Sequence, residues 1–193
     1  MSKVSEPHNK KWRPATRLVR GGTQRSEFDE TSEGIFMTSG YVYESAESAE
    51  AAFKGETARY IYSRYANPTV TMFEERLALL EGAEYCVGTS SGMAAVFASL
   101  MSQLRAGEQV VASRALFGSC HYIIQDMLPN FGINVQFVDG TDLVQWEAAL
   151  ATPTKAVFLE TPSNPTLDII DLSKVAELSH ASGARLIVDN VFA

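Results

Sequence analysis

The sequence predicts an α/β fold: a mainly parallel sheet with helices on both faces, preceded by an irregular N-terminal arm. Three observations carry that expectation. From Pro68 onward, short apolar runs alternate with helical stripes at the spacing of βαβ units. The runs, such as Val110-Val111-Ala112 and Ala156-Val157-Phe158-Leu159, lack the polar alternation of a strand with one wet face. Before about Arg64 neither period is present.

In chain order, residues 1–65 read as an arm or small domain and 66–193 as the α/β domain. The arm carries Gly21-Gly22, Gly34 and Gly40, aromatic islands, and a helix-prone small-residue stretch from Ser45 to Phe53. It holds too little apolar surface for a core of its own. In the segment 69–82, Val70, Phe73, Leu77 and Leu80 form a helical stripe that Gly82 stops. The segments 84–90, 108–113, 133–139, 155–160 and 184–190 read as strands. Those at 93–104, 118–131, 142–150 and 171–183 read as helices, the second ending near Pro129. The last strand ends at Asn190 with no covering helix before Ala193, so the domain is expected to be truncated at its C-terminal end.

Composition narrows the function classes. The chain has 193 residues, 46% of them hydrophobic and 20% charged, which suits a globular domain of ordinary size. No apolar run reaches eighteen residues, so no membrane span is expected. The first 22 residues are basic without an apolar h-region, and Glu6 argues against an organellar presequence. A net charge of −7 argues against a nucleic-acid partner, because displacing counterions needs a basic face. Cys86 and Cys120 form no C-x-x-C pair, sit in apolar surroundings and read as buried thiols of a reducing, cytoplasmic compartment. His8, His121 and His180 lack metal-ligand spacing, so no metal site is expected.

In open α/β sheets ligands bind beyond the carboxyl ends of the strands, and four segments lie there. Gly88-Thr89-Ser90-Ser91-Gly92-Met93 precedes a helix, where small residues let backbone N–H groups and the helix dipole meet an anion. A tight turn with Ser91 as N-cap is the alternative reading. The segment matches neither the dinucleotide nor the P-loop pattern. In Glu160-Thr161-Pro162-Ser163-Asn164-Pro165-Thr166 the two prolines stiffen a loop that would hold the Asn164 amide. Asp189 closes an apolar strand, and its carboxylate calls for a partner: a cationic ring nitrogen, a metal or a helix N-terminus. Phe117 follows a strand in a short loop; taken alone it reads as core rather than as a ligand platform. Upstream, Arg59-Tyr60-Ile61-Tyr62-Ser63-Arg64 interleaves guanidinium and aromatic groups that suit either a phosphate clamp or RNA stacking, and the acidic balance disfavours the RNA reading.

Taken in this order, the segments 62–69 (YSRYANPT), 90–95 (SSGMAA), 116–120 (LFGSC), 160–166 (ETPSNPT) and 186–190 (LIVDN) resemble the Cys/Met-metabolism family of pyridoxal-phosphate (PLP) enzymes. The resemblance runs from about residue 20 to the end. It implies a large domain of the type I aminotransferase kind, PLP as cofactor, and an amino acid as small-molecule substrate. It also implies a homotetramer built as a dimer of dimers with shared active sites. Residue by residue, Ser91, Gly92 and Met93 would lie at the PLP phosphate, which Tyr62 and Arg64 would reach from the neighbouring subunit. Asp189 would pair with the ring nitrogen, Asn164 would sit near the ring hydroxyl, and Phe117 would stack on the ring. Asp189 and Phe117 are the residues expected to act in catalysis, Asp189 by keeping the ring nitrogen protonated.

Two departures refine the expectation. Most members of the family carry a tyrosine where this chain has Phe117, and phenylalanine there resembles the O-succinylhomoserine sulfhydrylase branch. The implied activity is a γ-replacement of methionine biosynthesis, in which O-succinylhomoserine and sulfide give homocysteine and succinate. Cystathionine γ-synthase, O-acetylhomoserine sulfhydrylase and methionine γ-lyase are the alternatives within the family; a non-catalytic α/β fragment is the alternative outside it. The family's Schiff-base lysine would fall after residue 193, so these residues alone are expected to be inactive.

Overall fold

The computed structural model describes residues 12–193, so His8 and Glu6 lie outside the described residues. These residues gather into two compact units, a first up to Gly88 and a second spanning Thr89–Ala193. That division falls later in the chain than the change of sequence texture at 65–66.

The first unit contains helices α1 (Pro14–Arg20), α2 (Ala46–Phe53) and α3 (Pro68–Glu81). The short helix α1, which lies where the sequence reads as irregular, starts on Pro14, whose fixed φ and missing N–H suit a first helical turn. Ser45 caps α2 by accepting the Ser48 N–H. Asn67 caps α3 at Thr69, and α3 ends at Gly82 with φ 66°, the left-handed geometry that favours glycine. The arm lies close over α3: a Cβ on Gly22 would come within 2.9 Å of the Glu75 Cβ. Arg76 fastens it further, donating from Nε to the Gly21 carbonyl at 2.9 Å and pairing with Glu33. That guanidinium holds the Glu33 carboxyl below its usual range.

The second unit is a four-stranded sheet in the order β2-β1-β3-β4, with every pairing parallel. Its strands are β1 (Gln109–Ser113), β2 (Asn134–Val138), β3 (Ala156–Glu160) and β4 (Arg185–Asp189). Helix α4 (Gly92–Met101) precedes β1. A helical run of α5 (Gly118–Tyr122), a π turn (Ile123–Met127) and α6 (Leu128–Asn130) joins β1 to β2. The run widens one turn ahead of Pro129, whose ring removes a donor and crowds the carbonyl four residues back. Helices α7 (Leu143–Leu150) and α8 (Leu172–Ala181) complete the unit.

The period of two along the central strands sorts the core. Val110, Ala112, Ala156 and Phe158 face Leu100, Ile124 and Leu128 on one side. Val111, Val157 and Leu159 face Trp146, Leu150 and Val175 on the other. Burial on both faces is why β1 and β3 read as unbroken apolar runs.

Three expectations need correcting. Cys86 is only partly buried, and the segment 84–90 is irregular rather than a strand. A strand needs a ladder partner, and the Gly88 N–H is instead taken by the Glu74 Oε1 at 2.7 Å. The apolar stripe of α3 also faces outward: Val70, Phe73, Leu77 and Leu80 are 45, 57, 37 and 38% exposed. The residues that α3 buries are Pro68, Thr71, Met72, Glu75 and Ala78.

Candidate cofactor site

The loops that follow β1, β3 and β4 meet the start of α4 at one end of the second unit, around a cavity of about 620 Å³. Ser91, Gly92, Met93, Phe117, Asn164 and Asp189 all line it, together with Phe158 and Ile187 from β3 and β4. The parallel topology explains the convergence, because it brings the carboxyl ends of the strands together however far apart they lie in sequence.

Helix α4 opens on this cavity. Ser91 is its N-cap, its Oγ accepting the Ala94 N–H at 3.1 Å, while Thr89 donates to the Ser91 carbonyl at 2.8 Å. The capping reading of Ser91 is thus met, and it does not exclude the anion reading of the segment. The Gly92 and Met93 N–H groups fall in the first turn, where no intrahelical acceptor exists. A Cβ placed on Gly92 would meet nothing within 4 Å, so the space beside this turn is open.

Phe117 stands 42% exposed at the start of α5, a solvent-facing ring on the cavity wall and not part of the core. Asp189, half-buried at the end of β4, accepts the Val191 N–H at 3.1 Å and the Cys120 thiol at 3.5 Å. Burial, then the Asp189 charge and hydrogen bond, push the Cys120 thiol up to about 12. It is therefore a neutral donor at physiological pH.

Glu160 opens the Pro-rich loop motif, and the motif alone does not single it out as a site residue. It is fully buried at the end of β3. Its Oε2 accepts the Phe117 N–H at 2.5 Å and its Oε1 accepts the Asn164 N–H at 3.1 Å. Burial raises its carboxyl above the usual range, the two N–H groups oppose that shift, and Asp189 adds to it. The signal that could have found it is the acid closing a fully apolar strand, as at Asp189.

Tyr62 and Arg64 belong to the first unit and sit together there. The Arg64 guanidinium lies 5.4 Å from the ring centres of both Tyr62 and Tyr65, a cation–π arrangement on an exposed surface. Among the described residues no salt bridge engages Arg64, and no group of three His, Cys, Asp or Glu could hold a metal ion. No helix among them is long and apolar enough to cross a membrane.

The cavity suits a planar aromatic ring carrying a phosphate at one end and a protonated nitrogen at the other. Unpaired N–H groups and a helix dipole stand at the Gly92 end. An aromatic wall is provided by Phe117 and a carboxylate by Asp189. Comparison with known proteins agrees. Residues 15–193 match the model of the Cys/Met metabolism PLP-dependent enzymes. The chain is 57% identical over 179 residues to an O-succinylhomoserine sulfhydrylase of Mycobacterium tuberculosis, covering 93% of this chain and 44% of that protein. One from Pseudomonas aeruginosa is 46% identical over 177 residues, covering 92% and 44%. An L-methionine gamma-lyase of Fusobacterium nucleatum is 40% identical over 185 residues, covering 95% and 47%. A Campylobacter jejuni crystal structure that carries a pyridoxyl-lysine monophosphate superposes with a TM-score of 0.85 at 31% identity, over 93% of this chain and 44% of that one. The chain thus spans somewhat under half the length of the curated relatives it matches. A match over nearly all of this chain, with Ser91, Gly92, Met93, Phe117, Asn164 and Asp189 gathered at one cavity, leads to one conclusion: the chain belongs to the Cys/Met metabolism PLP-dependent enzyme family.

Proposed function

We propose that the whole protein is a transferase of methionine biosynthesis that converts O-succinylhomoserine and sulfide to homocysteine and succinate. A C–S bond forms at the γ-carbon as the C–O bond to succinate breaks. The observation that carries this reading is Phe117, an exposed ring on the cavity wall without a hydroxyl. The 57% identity to a protein named for this reaction supports it.

PLP, when bound, supplies an electron sink for the carbon skeleton of the amino-acid substrate. The remaining work falls to the chain. The Gly92 and Met93 N–H groups, with the Ser91 hydroxyl beside them, bind the phosphate at the start of α4. Asp189 holds a proton on the ring nitrogen, itself steadied by the Cys120 thiol and the Val191 N–H. Asn164 orients the ring hydroxyl, and Phe117 covers one ring face and excludes water there. Having no phenol, Phe117 holds no proton for a poor leaving group, so the reaction favours an ester whose carboxylate departs readily.

Among the described lysines, Lys54 pairs with Glu50, Lys155 with Glu108 and Lys174 with Glu177, and none lines the cavity. This supports the reading, implied by the family resemblance, that the lysine anchoring PLP comes from outside these residues. Tyr62 and Arg64 serve a neighbouring subunit's phosphate in a dimer of dimers. Two free cysteines fit a cytoplasmic setting.

The test is steady-state kcat/KM of the full-length enzyme with O-succinylhomoserine, O-acetylhomoserine and methionine, each ester offered sulfide or cysteine. O-succinylhomoserine with sulfide is expected to be the best pair, with methionine elimination at least about tenfold slower, a difference of ~1.4 kcal/mol. Preference for cysteine would make the enzyme a cystathionine synthase. Preference for the acetyl ester or for methionine would overturn the substrate assignment.

A further inference from the structure

Glu160 is fully buried and yet stands behind the cavity wall rather than in it. Its two carboxylate oxygens go in different directions, one to the Phe117 N–H and one to the Asn164 N–H. Those two residues approach the cavity from different loops, one after β1 and one after β3. In the parallel ladder Glu160 is also the register partner of Asp189 on β4. The backbones of three residues assigned to the ring thus lie one hydrogen bond or one ladder step from Glu160.

Elementary chemistry restricts what could replace it. The two N–H donors are held by separate oxygens, which a carboxylate offers, whereas an amide has one oxygen and puts a donor NH2 in the other place. Burying a carboxylate is costly, and an apolar residue would fill the same volume more cheaply if only packing were at stake. Burial and the neighbouring Asp189 charge oppose ionisation of Glu160, whereas the two N–H groups favour it.

We propose that Glu160 is a positioning residue for the cofactor ring: its carboxylate clips the Phe117 and Asn164 backbones together and so sets the slot into which the ring fits. The proposal rests on the reading of this cavity as the PLP cradle. Glu160 touches no reacting atom and acts through the residues it holds.

The experiment uses the full-length enzyme and four variants: Glu160→Gln, Glu160→Asp, Val157→Ala and Gly92→Val. Val157 lies on the same strand as Glu160 but packs in the core on the opposite face, so its variant reports a purely structural lesion. The quantities read are the Tm of the apoenzyme, the equilibrium Kd for PLP, the steady-state kcat and KM, and the visible circular dichroism per bound cofactor, which reports how the ring is held. Glu160→Gln should weaken PLP binding about tenfold and more than halve the induced dichroism, with kcat falling and KM little changed. Glu160→Asp keeps the charge but is one methylene shorter, so it should move both cofactor readouts in the same direction. Val157→Ala should lower Tm and leave both cofactor readouts at the wild-type value.

If the Glu160 variants lower only Tm, as Val157→Ala does, the clip is overturned and Glu160 is a core tie. Should Glu160→Gln fail to fold, Glu160→Asp decides on the same two readouts. Gly92→Val distinguishes the cradle from the clip, because it puts a side chain into the open space at the start of α4. Wild-type PLP affinity in Gly92→Val would sink the cradle reading itself. Weakened affinity there, beside unmoved Glu160 variants, would sink the clip alone.

Discussion

Asp189 shows how a single carboxylate acquires a role from its surroundings. It closes β4, where its backbone carbonyl still accepts from the Thr161 N–H, while its side chain turns to the cavity. The donors on that side chain are one N–H and one neutral thiol, and neither brings a positive charge. On the proposed reading, a ring nitrogen that becomes protonated would supply that charge. Asp189→Asn is close in size and keeps an acceptor, so PLP should still dock through the phosphate end. It cannot hold the ring nitrogen protonated, and kcat should fall by about two orders of magnitude, ~2.7 kcal/mol, with PLP content retained. Absorbance of the bound cofactor and single-turnover rates measure the two effects separately; near-normal turnover would assign the ring nitrogen to another group. Asp189 is legible in the sequence because an acid closing an apolar strand is conspicuous. Glu160 closes β3 in the same way but is harder to read, since its partners are backbone N–H groups, one of them 43 residues away, which carry no sequence signal.

At the scale of elements, helix ends follow local chemistry closely. Asp142 accepts the Val144 N–H at 2.9 Å to start α7, and Asp171 accepts the Lys174 N–H at 3.1 Å to start α8. Gly82 ends α3 in left-handed geometry, and a Cβ there would meet nothing within 4 Å. Gly82→Ala should therefore cost only the backbone term, about 1 kcal/mol, seen as a lower denaturant midpoint at unchanged slope. A cost near zero would mean that this turn relaxes to another conformation. What the sequence concealed at this scale was facing, not existence. The period of Val70, Phe73, Leu77 and Leu80 marks α3 correctly as a helix, but the buried stripe is the adjacent one through Met72 and Ala78, on a helix that packs with α1. Apolar period reports that a face is to be covered; it does not say by what. Likewise Tyr85 and Val87 have strand-like composition, yet a strand exists only where a second backbone pairs with it.

For the whole molecule, charge balance at the cavity poses a question that one unit cannot answer. A phosphate carries close to two negative charges, and the start of α4 offers about half a positive charge with its N–H groups. The residues lining the cavity include no Lys or Arg, while Asp189 adds a further negative charge. A bound phosphate therefore needs a cation from elsewhere. Arg64 suits that role, being exposed, stacked on Tyr62 and Tyr65, and outside every salt bridge among the described residues. Its planar fork matches a phosphate. The expectation is that Arg64 acts on the site of a neighbouring subunit, and complementation tests it. Full-length Arg64→Ala and Asp189→Asn subunits, each nearly inactive alone, are unfolded together, mixed in equal amounts and reassembled. If Arg64 works in trans, a mixed pair holds one site with neither lesion and one with both. Random pairing then restores about a quarter of the wild-type activity. If Arg64 serves its own subunit, every site in the mixed pair keeps one lesion, and the mixture shows no more activity than the average of the two parents.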